Sequence, residues 1–109
     1  QPAIEQLIRQ YAKWKQEKHI VEAVALLHLE FESIHPFIDG NGRTGRLLLN
    51  FELIKSGQLP IDIKFTDRRK YYDCFDAYHS NNKNPEKMIS LIAEYEKAEL
   101  KRYIDIIKQ

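Results

Sequence analysis

A glycine-rich turn set between two apolar helical patterns is the feature that most constrains the fold. Three of the four glycines in the chain lie within six residues, at Gly40, Gly42 and Gly45. Such a turn permits positive φ and close approach of the backbone to a ligand. Its successive N–H groups, together with the start of the following helix, form a binding place for anions. We therefore predict a loop that feeds a helix N-terminus and holds phosphate.

Two arginines strengthen this prediction. Arg43 and Arg46 are three residues apart, so they share a face of the first helical turn. Cations at this end oppose the helix dipole by roughly 0.3–1 kcal/mol each. Gly45 adds a further cost of about 1 kcal/mol relative to alanine. A bound polyphosphate would reverse the sign of the electrostatic term, whereas two merely solvated arginines would leave it unfavourable.

A histidine and a carboxylate precede the turn. His35 stands before a proline, which disfavours α geometry, so we expect helix 2 to end near Ile34 and His35 to be extended. Its imidazole is suited to take a proton from a hydroxyl near neutral pH. Asp39 is placed either to bind Mg²⁺ together with substrate phosphates or to close an Asx-type turn.

Three familiar motifs match this stretch only in part. The glycines fit the dinucleotide fingerprint, but that motif needs a preceding strand, and here the preceding pattern is helical. A P-loop would need Lys and Ser or Thr after Gly45, where the chain has Arg46 and Leu47. A calcium loop starting at Asp39 would need Gly and Glu where Thr44 and Asn50 stand.

The stretch resembles the core motif of the Fic family, H-x-F-x-[D/E]-G-N-G-R-x-x-R. All eight fixed positions are filled, and a later Asp67-Arg68-x-x-Tyr71-Tyr72 is also similar to the helical core of the family. The resemblance implies a protein adenylyltransferase that moves AMP from Mg-ATP to a side-chain hydroxyl of a target protein. The matching residues are His35, Phe37, Asp39, Gly40, Asn41, Gly42, Arg43 and Arg46.

The resemblance also assigns roles to these residues. It implies His35 as general base, Asp39 as Mg²⁺ ligand, and Arg43 and Arg46 as catalytic groups that hold the β/γ end and the leaving pyrophosphate. Phe37 would anchor the loop in the core. The full set of residues expected around the nucleotide is Phe37, Gly40, Asn41, Gly42, Arg43, Gly45, Arg46, Tyr71 and Tyr72.

Other outcomes remain open within this resemblance. The same fold could transfer phosphate or phosphocholine, or remove AMP. A catalytically silent nucleotide-binding interaction domain is the alternative from another class, and the presence of His35 argues against it, because a pure binder needs no base.

Helical periodicity covers most of the chain and predicts an all-α fold, an irregular bundle of about five helices. We expect helices over residues 2–17, 20–34, about 42–56, about 67–79 and 85–107. Ile4, Leu7, Ile8, Tyr11 and Trp14 form the apolar stripe of the first. Residues 58–65 should be an extended connection, with Thr66 capping helix 4. His28 should be a core histidine.

Length and charge limit the partners. At 109 residues the chain is one domain, 1–109, which we interpret as a Fic catalytic core. A net charge of +1 gives no argument for nucleic acid or membrane, and one cysteine fits a reducing, cytoplasmic setting. ATP and a protein with a Ser, Thr or Tyr hydroxyl are the expected partners.

Two features of the family are missing from the pattern. A β-hairpin flap that docks the target peptide is expected upstream, so we interpret the chain as a piece of a longer protein. An inhibitory helix of the form [S/T]-x-x-x-E-[G/N] is matched only by Ser90 to Glu94, with Tyr95 in the last position. Any inhibition should therefore come from another segment or from an antitoxin-like partner.

Overall fold

Five helices make up the fold of the protein, seen in a computed structural model that describes residues 2–35 and 40–109. In chain order they are α1 (Pro2–Glu17), α2 (Ile20–Ile34), α3 (Asn41–Lys55), α4 (Arg68–Ser80) and α5 (Glu86–Ile107). The described residues contain no strand. The predicted all-α class is therefore confirmed.

Helix α2 is the centre of the bundle, because it is apolar on almost all sides. From Val21 to Phe31 only Glu22 and Glu30 escape burial. Helices α1, α3 and α5 all pack against it. A helix that is hydrophobic around its circumference must be buried, so the position of α2 follows directly from its composition.

Helix α1 covers one side of α2 and is tied to α3 by a polar contact. Leu7 and Tyr11 are buried, and the Tyr11 hydroxyl donates a 2.7 Å hydrogen bond to Oε1 of Glu52 on α3. Ile8 belongs to the predicted apolar stripe of this helix, but it is 62% exposed. Ile8 instead borders an open groove between α1 and α3, to which Leu48 also belongs.

The connection between α3 and α4 is extended but does not form a strand. Asn50 takes the place of a neighbouring strand: its Nδ2 donates to the Ile61 carbonyl and its Oδ1 accepts from the Ile61 N–H, both at 2.8 Å. A 3₁₀ turn, Phe65–Asp67, then leads into α4. The expectation that Thr66 caps α4 is wrong, because Thr66 lies inside this turn and Asp67 occupies the N-cap position.

Helices α4 and α5 form an antiparallel pair that closes the bundle. Helix α5 begins one residue later than predicted, because Pro85 occupies its N-cap, and the Asn84 side chain accepts a 2.9 Å hydrogen bond from the Glu86 N–H. The last turns of α5 present exposed apolar side chains, among them Leu100 and Ile107. None of the described helices is long and apolar enough to cross a membrane.

Candidate functional site

The junction of α2 and α3 carries the residues that the sequence singles out. Helix α2 ends at Ile34 as predicted, and His35 occupies its C-cap. The backbone of His35 has φ 48° and ψ 61°, so the expectation of an extended His35 is wrong. The left-handed geometry closes the helix C-terminus and still avoids the α region that the following proline disfavours.

The N-cap residue of helix α3 has no side chain. Gly40 is the N-cap with φ 80°, which strains any residue but glycine, and it provides no side-chain cap. The Thr44 N–H donates to the Gly40 carbonyl at 2.9 Å, so the first helical bond is already made there. The start of α3 thus has the orientation and the dipole of an anion site.

The two arginines of the first turn fold back over its glycines. Nη2 of Arg43 is 3.3 Å from the position that a Cβ on Gly40 would take, and Nη1 of Arg46 is 3.2 Å from the same position on Gly42. Both arginines are exposed, and neither forms an ion pair with another described residue. We call Gly40, Asn41, Gly42, Arg43 and Arg46 the cationic mouth of α3.

A cleft of about 610 Å³ opens beside the cationic mouth. Its lining brings together five of the residues named from the sequence, which come from three helices and lie up to 37 positions apart. They are His35, Gly42, Arg46, Tyr71 and Tyr72. A single cavity therefore unites the imidazole, one arginine and the aromatic pair.

The two tyrosines of α4 divide between wall and surface. Tyr71 is 6% exposed and packs edge-on against Phe75 with ring centroids 5.0 Å apart, whereas Tyr72 is 60% exposed. Burial raises the pKa of Tyr71, and the nearby Arg46 guanidinium lowers it in part. Tyr71 thus forms the fixed wall of the cleft, and Tyr72 is the ring available to a ligand.

His28 supports this wall from below, as a core histidine. It is 1% exposed, and its Nε2 lies 2.6 Å from the Tyr71 hydroxyl. Burial lowers the pKa of His28 to about 4, so the ring is neutral at physiological pH. The hydrogen bond joins α2 to α4 directly under the cleft.

Glu32 is a residue of the cleft that the sequence pattern did not reveal. Its Oε1 is buried without a hydrogen-bond partner among the described residues, and burial raises the pKa of its carboxyl. A Cβ on Gly45 would overlap this carboxylate. Gly45 therefore lies against α2, where the absence of a side chain leaves room for Glu32.

Two of the residues named from the sequence lie outside the described part of the chain. These are Phe37, expected to anchor the loop, and Asp39, expected to bind Mg²⁺. Within the described ranges, no cluster of three or more His, Cys, Asp or Glu side chains could hold a metal ion. Asn41 is described and is the first residue of α3.

Comparison with known proteins shows that the chain is similar to Fic proteins. The Fic/DOC family model matches residues 1–53. The protein adenylyltransferase Fic of Nematostella vectensis is 43% identical over 67 residues, which are 62% of this chain and 16% of that protein. The protein adenylyltransferase fic-1 of Caenorhabditis elegans is 34% identical over 88 residues, 81% of this chain and 17% of that protein.

The solved structures agree with these relatives. Fic-1 of C. elegans, residues 134–508, superposes with a TM-score of 0.77 at 28% identity, over 94% of this chain and 32% of that one. Its E274G variant gives a TM-score of 0.80 at 27% identity. The chain spans less than a fifth of the length of the two curated relatives described here.

Proposed function

We propose that this chain, which is similar to Fic/DOC proteins in sequence and fold, is the core of a protein adenylyltransferase, which transfers AMP from ATP to a side-chain hydroxyl. The observation that carries this proposal is the open cationic mouth, which shares a cleft with His35 and Tyr72. Arg43 and Arg46 face solvent, unneutralised by any described ion pair. Such a site is complete only when an anion occupies it.

The proposed binding mode follows from charge and shape. The phosphates lie on the N–H groups at the start of α3, and both guanidinium groups reach them from the sides. The exposed ring of Tyr72 then contacts the base. Phe37 and Asn41 complete this proposed set, with Phe37 holding the loop and Asn41 beside the phosphates.

His35 acts as general base in the proposed step. It accepts the proton of the target hydroxyl while that oxygen bonds to the α-phosphorus. The bond from the α-phosphorus to the bridging oxygen breaks, and its electron pair leaves with pyrophosphate. Arg46 stabilises the charge that develops on this leaving group, which is where phosphoryl-transfer enzymes gain most of their rate.

In this proposal Mg²⁺ arrives with the nucleotide, whose phosphates lie against the cations Arg43 and Arg46. One carboxylate together with substrate phosphates is a common way of binding Mg²⁺. Asp39 would be that carboxylate, and the ion would neutralise charge on the polyphosphate.

A labelling experiment tests the proposal. The protein is incubated with cell extract and Mg-ATP that carries the label on either the α- or the γ-phosphate. We expect label on protein only from the α position, together with an added mass of one AMP. Label from the γ position alone would indicate a kinase-like transfer, and no label with intact ATP binding would indicate the silent binding domain.

Two histidine variants make this test specific. We expect His35→Ala to bind ATP but to lose at least about a hundredfold in transfer, since a general base contributes roughly 10²–10⁴-fold. His19→Ala is the matched control, because His19 caps the opposite end of α2 through the Val21 N–H. Equal labelling by wild type and His35→Ala would remove His35 as the base.

A further inference from the structure

A second cavity shares Arg46 with the cleft. It has a volume of about 320 Å³ and is formed by Arg46, the connection before α4 and the first turns of α4. Tyr71 and Tyr72 also line both cavities. We call this cavity the side pocket, and its lining includes Arg46, Asp62, Lys64, Phe65, Arg68 and Tyr72. Arg46 can therefore contact a ligand group in either cavity.

The charge of the side pocket favours an anion. Three of its lining residues are cations, Arg46, Lys64 and Arg68, and one is a carboxylate, Asp62. The three cations are exposed, and none of them forms an ion pair with another residue in the described ranges. A cavity whose wall carries mainly one sign of charge concentrates ions of the opposite sign. A bound anion would also offset the repulsion among the three cations.

The guanidinium group of Arg68 is held in place with most of its donors still available. It lies over the Phe65 ring, 4.0 Å from the centroid, and its Nη1 donates a 3.3 Å hydrogen bond to the Phe65 carbonyl. A guanidinium group carries five N–H donors, and this bond is the one that its side chain makes to another described residue. The remaining donors can bind two phosphate oxygens side by side.

The backbone that carries Lys64 is fixed as well. The Lys64 N–H donates a 2.9 Å hydrogen bond to the Tyr95 hydroxyl, and the same hydroxyl donates to Asp67. Asn50 holds the connection further upstream through its two hydrogen bonds with Ile61. The frame of the side pocket is therefore formed without a ligand, which lowers the conformational entropy that binding would cost.

We propose that the side pocket is a binding site for inorganic pyrophosphate, in which Arg68 and Lys64 receive this product beside Arg46. The proposal rests on the proposed function, in which pyrophosphate forms at Arg46 and carries the electron pair of the broken bond. No bond is made or broken in the side pocket, because the anion only moves there from the cleft. Arg68 and Lys64 are thus binding residues for the leaving group and take no part in proton transfer.

Calorimetric titration of the protein with inorganic pyrophosphate, and separately with AMP, tests this site. We expect Arg68→Ala to raise the Kd for pyrophosphate about tenfold. This change corresponds to about 1.4 kcal/mol, which is near the lower limit for a hydrogen bond to a charged group. Lys64→Ala should have a similar effect through the lost charge. The Kd for AMP should stay the same in both variants, since AMP does not contain the leaving group.

Three further comparisons keep the test specific. Arg69→Ala is the matched control, because it removes the same charge from a neighbouring exposed arginine that does not line the side pocket, and it should change the Kd for pyrophosphate less than about twofold. Arg68→Lys keeps the charge and should recover part of the lost affinity. Lys64→Ala leaves the backbone bond to Tyr95 in place, so it still tests the site if loss of the Arg68–Phe65 contact disturbs the turn before α4.

The outcomes separate this inference from the proposed function. An unchanged Kd for pyrophosphate in Arg68→Ala and Lys64→Ala would overturn the inference and leave the transferase proposal intact. If protein labelling fell in the same variants, the side pocket would instead hold an acidic segment of the target protein. An equal loss of affinity for AMP and pyrophosphate would also overturn it, because both residues would then act on the whole nucleotide. If the wild type transfers no AMP but binds pyrophosphate through Arg68, the proposed function fails and the binding site stands.

Discussion

At the scale of single residues, the site depends on what glycine makes room for. Gly40 and Gly42 lie under the guanidinium groups of Arg43 and Arg46, and Gly45 lies under the carboxylate of Glu32. The sequence suggested one purpose for all three, a phosphate nest. The structure adds a packing role for Gly45, since a side chain at this position would overlap Glu32 on α2. Spacing within the chain could not show this, because the partner of Gly45 comes from another helix.

Arg46 offers the most direct test at this scale. We expect Arg46→Ala to weaken ATP binding by about tenfold or more, since hydrogen bonds to charged groups contribute about 1.5–3 kcal/mol. Calorimetric titration with Mg-ATP measures the change. Arg9→Ala is the control, because Arg9 is an exposed arginine of α1 that does not line the cleft. An unaltered dissociation constant for Arg46→Ala would contradict the proposed phosphate contact.

At the scale of elements, the sequence predicted helices well and their connections less well. The bounds of α1 and α2 agree with prediction to the residue, because each has a clear apolar period and a clear stop. Helix α3 begins one residue early, at Asn41. The approach to α4 was missed, since the 3₁₀ turn Phe65–Asp67 depends on tertiary contacts, such as the 2.5 Å hydrogen bond from the Tyr95 hydroxyl to Asp67.

The extended connection before this turn is held mainly by Asn50. We expect Asn50→Ala to lower the free energy of unfolding by about 2 kcal/mol, because the N–H and carbonyl of Ile61 would lose their partners. Urea denaturation measures the change. Gln10→Ala removes an exposed amide from α1 and should stay within about 0.5 kcal/mol of wild type. Equal free energies of unfolding for Asn50→Ala and Gln10→Ala would show that the two Asn50–Ile61 hydrogen bonds do not contribute to stability.

At the scale of the whole molecule, the core contains an ionisable ring. His28 is neutral in the folded protein because burial lowers its pKa to about 4, whereas in the unfolded chain the ordinary value is 6.5. Between these two values the unfolded chain binds more protons, so stability is complete above pH 6.5 and falls as the pH drops toward 4. Glu32, Arg46 and Tyr71 lie near His28 and can also change the free energy of unfolding with pH. The contribution of His28 is therefore measured by comparing the wild type with a His28 variant.

We expect the stability lost through His28 on acidification to amount to about 3 kcal/mol, because its pKa falls from 6.5 in the unfolded chain to about 4 in the folded protein. Unfolding by urea at pH 7, 5.5 and 4 measures it in wild type and in His28→Gln. The variant should be less stable at pH 7, and its deficit should shrink as the pH falls. A constant difference between the two proteins across this range would show that His28 does not titrate with unfolding.

Across these three scales, the residues that we propose to contact the ligand were easier to find than those that support them. His35, Arg46 and Tyr72 were named from the sequence and meet in one cleft. Glu32 was hidden, because a glutamate in an amphipathic helix has no distinctive pattern. His28 was predicted as a core residue. Its hydrogen bond with Tyr71 could not be predicted, because the two residues are 43 positions apart and no local sequence pattern indicates the contact.

The cleft is built from two separate parts of the chain, the α2–α3 junction and helix α4, and this separation affects how its ligand preference can change. The end of α2 and the start of α3 contribute Glu32, His35 and Arg46, while α4 contributes three aromatic rings together with Asp76 and His79, and packs mainly on α5. Exposed positions of α4, such as Tyr72, can therefore vary with little effect on the residues that we propose to bind phosphate. Substitutions on α4 can therefore change which non-phosphate group the cleft prefers, while the residues of α2 and α3 stay the same.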